Sequence, residues 1–237
     1  MGAIGGFAAA AALTQTFEDF YTAGTLVRPD TAWASLIAHP RTFLRKYATA
    51  VNEVLAQPAG GVQQAYFYTS GAAGDALRPG KVLRGLRKHR SETFKFNVLQ
   101  PPAGMPANSY RAVQAYWVPM LPGTPHMAFG GIQWVPLHAA AQVMITVRLS
   151  GCSFLWRVNG GVLEVAHLQP QGGLDGPGLQ TQLNGNGSNV YGRTSYGDGR
   201  VASIVGVRVA GGWKIYAQKF RVGTNEIMSV HRLYPAE

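Results

Sequence analysis

The sequence predicts an α+β, strand-rich domain entered through a helical N-terminal region, and three observations carry that prediction. Between Thr31 and Leu55 the apolar residues Phe43, Tyr47, Val51 and Val54 recur at intervals of three and four, leaving Arg41, Arg45 and Glu53 outward. From Gly60 onward this period gives way to short β-prone runs separated by Gly- and Pro-containing turns, a spacing typical of sandwiches and barrels. Hydrophobic residues make up 46% of the 237 residues, enough for a sizeable core. The expected organisation is a helical extension over residues 1–60 packed on a β-sandwich over residues 61–237.

Taken in order, residues 1–13 are small and apolar but lack a positive n-region, and they fall short of the roughly 18 apolar residues that suggest a membrane span. His39-Pro40 marks a break or a helix start. Strands are expected at Val62–Tyr68 and at Phe94–Val98, where Lys95 and Asn97 alternate with apolar residues. Between them lies the basic cluster Lys81–Arg90, which has no interleaved aromatic residues for base stacking and reads as a solvated face. Further β-prone runs follow at Tyr110–Val118, Gly130–Val135 and Gln142–Leu149. Residues 169–188, rich in Gly, Gln and Asn, read as a long surface loop, and such loops are often functional. Val190–Arg193, Val201–Val209, Trp213–Phe220 and Ile227–Leu233 read as closing strands, with Gly211-Gly212 as a hairpin turn.

The stretch with the most chemistry is Thr146 to His167. Asn159-Gly160 separates the runs Ser153–Val158 and Val162–His167, and Asn-Gly suits a type I′ turn because both of its central residues need positive φ. In a hairpin turning on these two residues, paired residue numbers sum to 319, which sets Cys152 opposite His167. Opposed residues have Cβ atoms roughly 4.5–5.5 Å apart, close enough for a thiol and an imidazole to share a proton. If Gly161 joins the loop the sum becomes 320, Cys152 opposes Leu168, and His167 turns to the other face. Cys152 is the only cysteine, so an intramolecular disulfide is excluded, and the thiol is either a small buried hydrophobe or a reactive group.

Other chemistries find less support. The six histidines, at 39, 89, 126, 138, 167 and 231, show no metal-ligand spacing, so no metal or other cofactor is expected. No glycine-rich stretch carries the strand, glycine pattern and lysine of a phosphate-binding loop, and Ser150 and Ser153 lie outside any G-x-S-x-G elbow. The formal charge of +10 favours acidic partners, yet only 14% of residues are charged, so nucleic acid is not the expected partner. Stable membrane insertion is not expected either. A protonated imidazole beside Cys152 would lower the thiol pKa and later protonate a leaving amine, while backbone N–H groups near Gly151 and Cys152 would stabilise an oxyanion.

Leu149-Ser150-Gly151-Cys152 with a downstream histidine resembles the glutamine deamidase toxins, namely cytotoxic necrotizing factor and Burkholderia lethal factor, with the chemotaxis receptor deamidase CheD more distant. Thr146, six residues before the cysteine, matches the third site residue of the lethal-factor and CheD branches. Tyr191-Gly192-Arg193, Val201 to Gly206 and Ile215 to Gln218 resemble the lethal factor as well, so the likeness covers residues 140–220. It implies a sandwich of two mixed sheets with flanking helices, and Cys152 as nucleophile, His167 as base and acid, and Thr146 orienting the histidine or the amide. It further implies that Tyr191, with Ser150 and Gly151, meets the substrate. The implied reaction is hydrolysis of a host protein's glutamine side chain to glutamate, and the lethal-factor branch implies a translation initiation helicase as target. An effector of this kind is expected in the bacterial cytosol before export and then secreted or injected into the host cytoplasm. The dyad alone also fits a peptidase, acyltransferase or transglutaminase, and a buried Cys152 fits a non-enzymatic, basic, β-rich binding module.

Overall fold

A computed structural model describes residues 28–51, 59–69, 93–101, 103–125, 131–185, 189–223 and 226–236. The basic cluster at 81–90, His89 and His126 lie outside the described residues. Helices α1 (Pro29–Ala38) and α2 (Pro40–Lys46) each begin with proline, whose missing N–H costs nothing in a first turn, and they meet at His39. The helix expected to run to Leu55 therefore ends at Lys46. Thr49 and Val51 are β-branched, and Ala48–Val51 forms strand β1 instead. The remainder of that expected helix, residues 52–55, lies outside the described residues.

Strands β2 (Gly61–Thr69), β3 (Thr93–Val98) and β4 (Tyr110–Trp117) follow the expected pattern. β5 (Met120–Gly123), β6 (Val135–Leu137) and β7 (Val143–Ile145) are short. The hairpin β8 (Ser153–Asn159) and β9 (Val162–Pro170) comes next, followed by helix α3 (Gly176–Gly185). This helix lies in what the composition suggested was a loop. Asp175 Oδ1 accepts a hydrogen bond from the Gly178 N–H at 2.7 Å and starts it, and Leu179 and Leu183, one turn apart, bury one face. The chain ends with β10 (Asn189–Tyr191), the single turn α4 (Arg193–Tyr196), β11 (Arg200–Val209), β12 (Gly212–Arg221) and β13 (Ile227–Tyr234). Arg193, expected at a strand end, opens α4. Because Val209 pairs with Gly212, the β11–β12 turn is Ala210-Gly211, one residue before the expected position.

The strands form two mixed sheets. The larger has the order β1-β3-β2-β4-β7-β11-β12-β13, parallel at β1/β3 and β4/β7. The smaller has the order β10-β8-β9-β5, with β6 also pairing β9 and a parallel β5/β9 contact. Trp33, Leu36, Phe43 and Leu44 of α1 and α2 pack on one face of the large sheet against Phe67, Phe94, Phe96, Val205 and Tyr216. The opposite face, with Tyr116, Met144, Ile204, Ile215 and Ala217, packs on Phe154, Leu163 and Val165 of the small sheet. Leu155, Ala166 and Leu168 on the far side of the small sheet are covered by α3. Two mixed sheets flanked by helices is thus the architecture, in the order helices, large sheet, small sheet, helix.

The large sheet is strongly curved. Thr49 on its first strand hydrogen-bonds Gln218 on β12, and Ser203 on β11 donates to the Thr49 carbonyl at 2.7 Å, so one edge of the sheet comes back toward the other. The aromatic cluster from α1, α2, β2 and β3 fills the curve, including a stacked Phe67–Phe94 pair with centroids 5.1 Å apart.

Candidate active site

The hairpin turns on Gly160-Gly161, whose φ values of 56° and 80° are those of a type I′ turn. Asn159 pairs with Val162, so partner numbers sum to 321, and Phe154 rather than Cys152 stands opposite His167. The expected direct Cys152–His167 pairing is corrected by this slip. A shift of two in the sum preserves which face each residue occupies, so His167 stays on the face that carries Phe154. The sequence held a signal for this register, because it sets Arg157 opposite Glu164, and their side chains meet at 2.6 Å.

Across the small sheet, Tyr191, Phe154, His167 and Met120 form one row, each in register with the next. Cys152 sits just ahead of β8, in the same buried cluster as Phe154 and Tyr191 between the two sheets. Its sulfur lies 3.6 Å from Met120 Sδ. Among the described residues, no hydrogen bond joins Cys152 to His167, and His167 Nε2 is buried without a partner. Met120, next to His167 in the row and touching the thiol, was not anticipated from sequence.

Thr146 and His167 do come together. Thr146 follows β7 on the large sheet, and its hydroxyl donates to the Val118 carbonyl at 2.7 Å. A hydroxyl has one hydrogen, so with that hydrogen engaged, Thr146 Oγ1 can only accept from His167 Nδ1, 2.7 Å away. The contact fixes the tautomer: Nδ1 carries the proton and Nε2 a free lone pair. Thr146 and His167 are 2% and 0% exposed, so water does not compete for this arrangement.

Burial sets the charge state. It pushes the Cys152 thiol from an ordinary value near 9.0 up to about 11, with a backbone hydrogen bond from Ser150 acting weakly the other way. It lowers His167 from 6.5 to about 3. Both groups are therefore neutral at pH 7, and the resting pair is thiol and imidazole rather than thiolate and imidazolium. Burial, with a smaller repulsion from Tyr196, also raises the Tyr191 phenol to about 12; its hydroxyl is buried and, among the described residues, unpartnered. Ser150 is exposed and Gly151 half-buried, so the thiol lies directly beneath the surface.

The neighbouring turn is tightly fitted. Tyr196 OH donates to the Cys152 carbonyl at 3.2 Å. The buried Gln180 of α3 accepts from Thr194 N–H at 2.7 Å and donates to Ser195 Oγ at 2.8 Å. A Cβ at position 192 would overlap Ser153 Oγ, which explains glycine in Tyr191-Gly192-Arg193. Tyr196 and Gln180 are further neighbours that the sequence pattern did not mark. Among the described residues, no group of three or more His, Cys, Asp or Glu is gathered as for a metal ion, and no helix is long and apolar enough to cross a membrane. No protein-family model matches the chain, and no curated protein does.

The raised thiol pKa has a kinetic consequence. Lifting it from 9.0 to about 11 cuts the thiolate fraction at pH 7.5 about a hundred-fold. Iodoacetamide should therefore alkylate native Cys152 on the order of 100 times more slowly than the urea-unfolded chain at the same pH. Mass spectrometry of timed samples gives both rates. Equal rates would mean that the thiol is not held in this buried state.

Proposed function

We propose that the protein is a thiol-dependent protein-glutamine amidohydrolase, with Cys152 as nucleophile, His167 as base and then acid, and Thr146 holding the imidazole. The observation that carries this reading is the His167 Nε2 atom, fully buried and without a partner among the described residues, on a ring whose other nitrogen is locked by Thr146. A buried polar atom left unsatisfied costs about 1–3 kcal/mol. A ring needed only for packing would not require it, whereas a base must keep its lone pair available.

In this reading the sulfur attacks the carboxamide carbon of a glutamine side chain while its proton passes to His167 Nε2. The tetrahedral intermediate expels ammonia, which takes up that proton, and leaves a thioester on Cys152. Water, deprotonated by the same nitrogen, then attacks the thioester carbon and releases glutamate and the free thiol. Backbone N–H groups near Gly151 and Cys152 would meet the developing oxyanion, and Tyr191 and Ser150 would flank the substrate. Because thiol and imidazole are both neutral at rest, proton transfer accompanies attack. Neither metal nor cofactor is needed. The biological setting that goes with this reading is a bacterial effector, exported or injected, that acts on a host protein; by the lethal-factor resemblance that protein is a translation initiation helicase.

The experiment is incubation of the purified protein with host-cell lysate and with the candidate helicase. The expected result is ammonia release and a gain of about one mass unit at a single glutamine, lost in Cys152→Ser. Cleavage or amine incorporation would point to a peptidase or a transglutaminase instead. A second reading, a non-enzymatic module with a packed cysteine, draws on the 4% exposure of Cys152 and its contact with Met120. It gains if Cys152→Ser deamidates as well as the parent, or if neither does.

A further inference from the structure

The large sheet has an open edge in its interior. β4 pairs with β2 along residues 110–117, but on its other side β7 pairs only with residues 115–117. Beyond that point the chain swings away toward β11, where the Arg208 N–H donates to the Gln142 carbonyl at 2.8 Å. The result is a cleft of about 290 Å³ lined by Trp33, Arg111, Gln114, Gln142 and Arg208 among others. The Val118 N–H donates to Ile145, so even-numbered residues of β4 direct their backbone groups to the β7 side. Ala112 and Gln114 therefore aim their N–H and C=O groups into the cleft. Among the described residues no strand pairs with them there, and both residues are exposed.

We propose that this cleft docks an extended, acidic segment of a partner protein as an added strand on β4, a surface separate from Cys152 and independent of its chemistry. The exposed edge offers alternating donors and acceptors, which a peptide backbone matches and a nucleic acid does not. Charge chooses the acidic peptide. Arg208 is held at the rim by the Ala141 carbonyl, 3.1 Å from its Nε. Arg111 stands over the Trp33 ring, and its ion pair with Asp30 is solvent-exposed, so that pair opposes recruitment of the guanidinium weakly. A net charge of +10 draws an acidic segment toward the whole molecule.

The probe is a fluorescein-labelled eight-residue peptide alternating valine with glutamate, followed by anisotropy. Its controls are the same peptide with lysine for glutamate, and one N-methylated at alternate amides. Saturable binding of the glutamate peptide is expected, weakened about ten-fold or more by N-methylation and by Ala112→Pro, which removes an edge donor without touching the β2 ladder. Hydrogen exchange at Gln114 should slow on binding. The proposal is overturned if the glutamate peptide shows no saturable binding to millimolar concentration, if the lysine peptide binds as well, or if both N-methylation and Ala112→Pro leave affinity unchanged. Should Ala112→Pro fail to fold, the N-methylated peptide decides on the parent protein.

Discussion

Between pH 7 and pH 4 the protein is expected to lose about 3 kcal/mol of stability that a His167→Asn variant does not lose. The cause is the gap between the folded and unfolded histidine. In the unfolded chain the ring titrates near 6.5, while in the fold burial holds it at about 3. Below pH 6.5 the unfolded state takes up a proton that the native state refuses, so stability present above 6.5 drains away as pH falls, until the native ring also titrates near 3. Asparagine places an N–H donor where Nδ1 stood, so the bond to Thr146 Oγ1 can persist while the titration is removed. Urea titrations of both proteins at pH 7 and pH 4 measure the difference, and at roughly 2–3 kcal/mol per molar urea the parent midpoint should move about 1 M further than the variant's. Parallel shifts in the two proteins would show that His167 is charged or solvated in the fold. Cys152 bounds the other side: its thiol, raised to about 11, adds stability present below pH 9 and lost between 9 and 11. Stability should be broadest between these limits.

The same residues show what the sequence could and could not convey. The hydrophobic alternation that put 154, 163, 165 and 167 on one face is unchanged by a slip of two in the pairing sum, so alternation could not choose between 319 and 321. Turn chemistry alone is ambiguous, because Asn159-Gly160-Gly161 contains two overlapping type I′ candidates; the fold takes the Gly-Gly pair, the one that sets Arg157 opposite Glu164. The Thr146–His167 contact joins two sheets and leaves no local periodicity, so the hydrophobic pattern could not point to it. α3 was hidden by composition, although Asp175 before Gly176-Pro177 and the Leu179/Leu183 spacing carried a cap and a stripe. Val51 satisfied the helical period and yet belongs to β1, because partners more than a hundred residues away hold Thr49 in that strand.

Replacing one of those partners should be the most destabilising single change at the large sheet's curve: Gln218→Met is expected to cost on the order of 3–5 kcal/mol. Gln218 is fully buried, and all of its hydrogen-bonding capacity is used. Its Oε1 accepts from the Thr49 N–H and the Thr49 hydroxyl, both at 2.8 Å. Its Nε2 donates to the Leu44 carbonyl and, at 2.6 Å, to the Tyr47 carbonyl. One side chain thus ties the end of α2, the bend after it and β1 to β12. Methionine matches its length but leaves a backbone N–H, two carbonyls and a hydroxyl without this partner, and a buried orphan costs about 1–3 kcal/mol. Ser203→Ala removes a single bond to the Thr49 carbonyl from the same region and should cost about 1 kcal/mol, which makes it the control. Urea midpoints of the three proteins test the ratio, and a Gln218→Met loss no larger than that of Ser203→Ala would mean that β1 is held by its pairing with β3 alone. Ala217, just before it on β12, faces the opposite way into the buried cluster that holds Cys152, so the strand Gln218 anchors also contributes to that cluster.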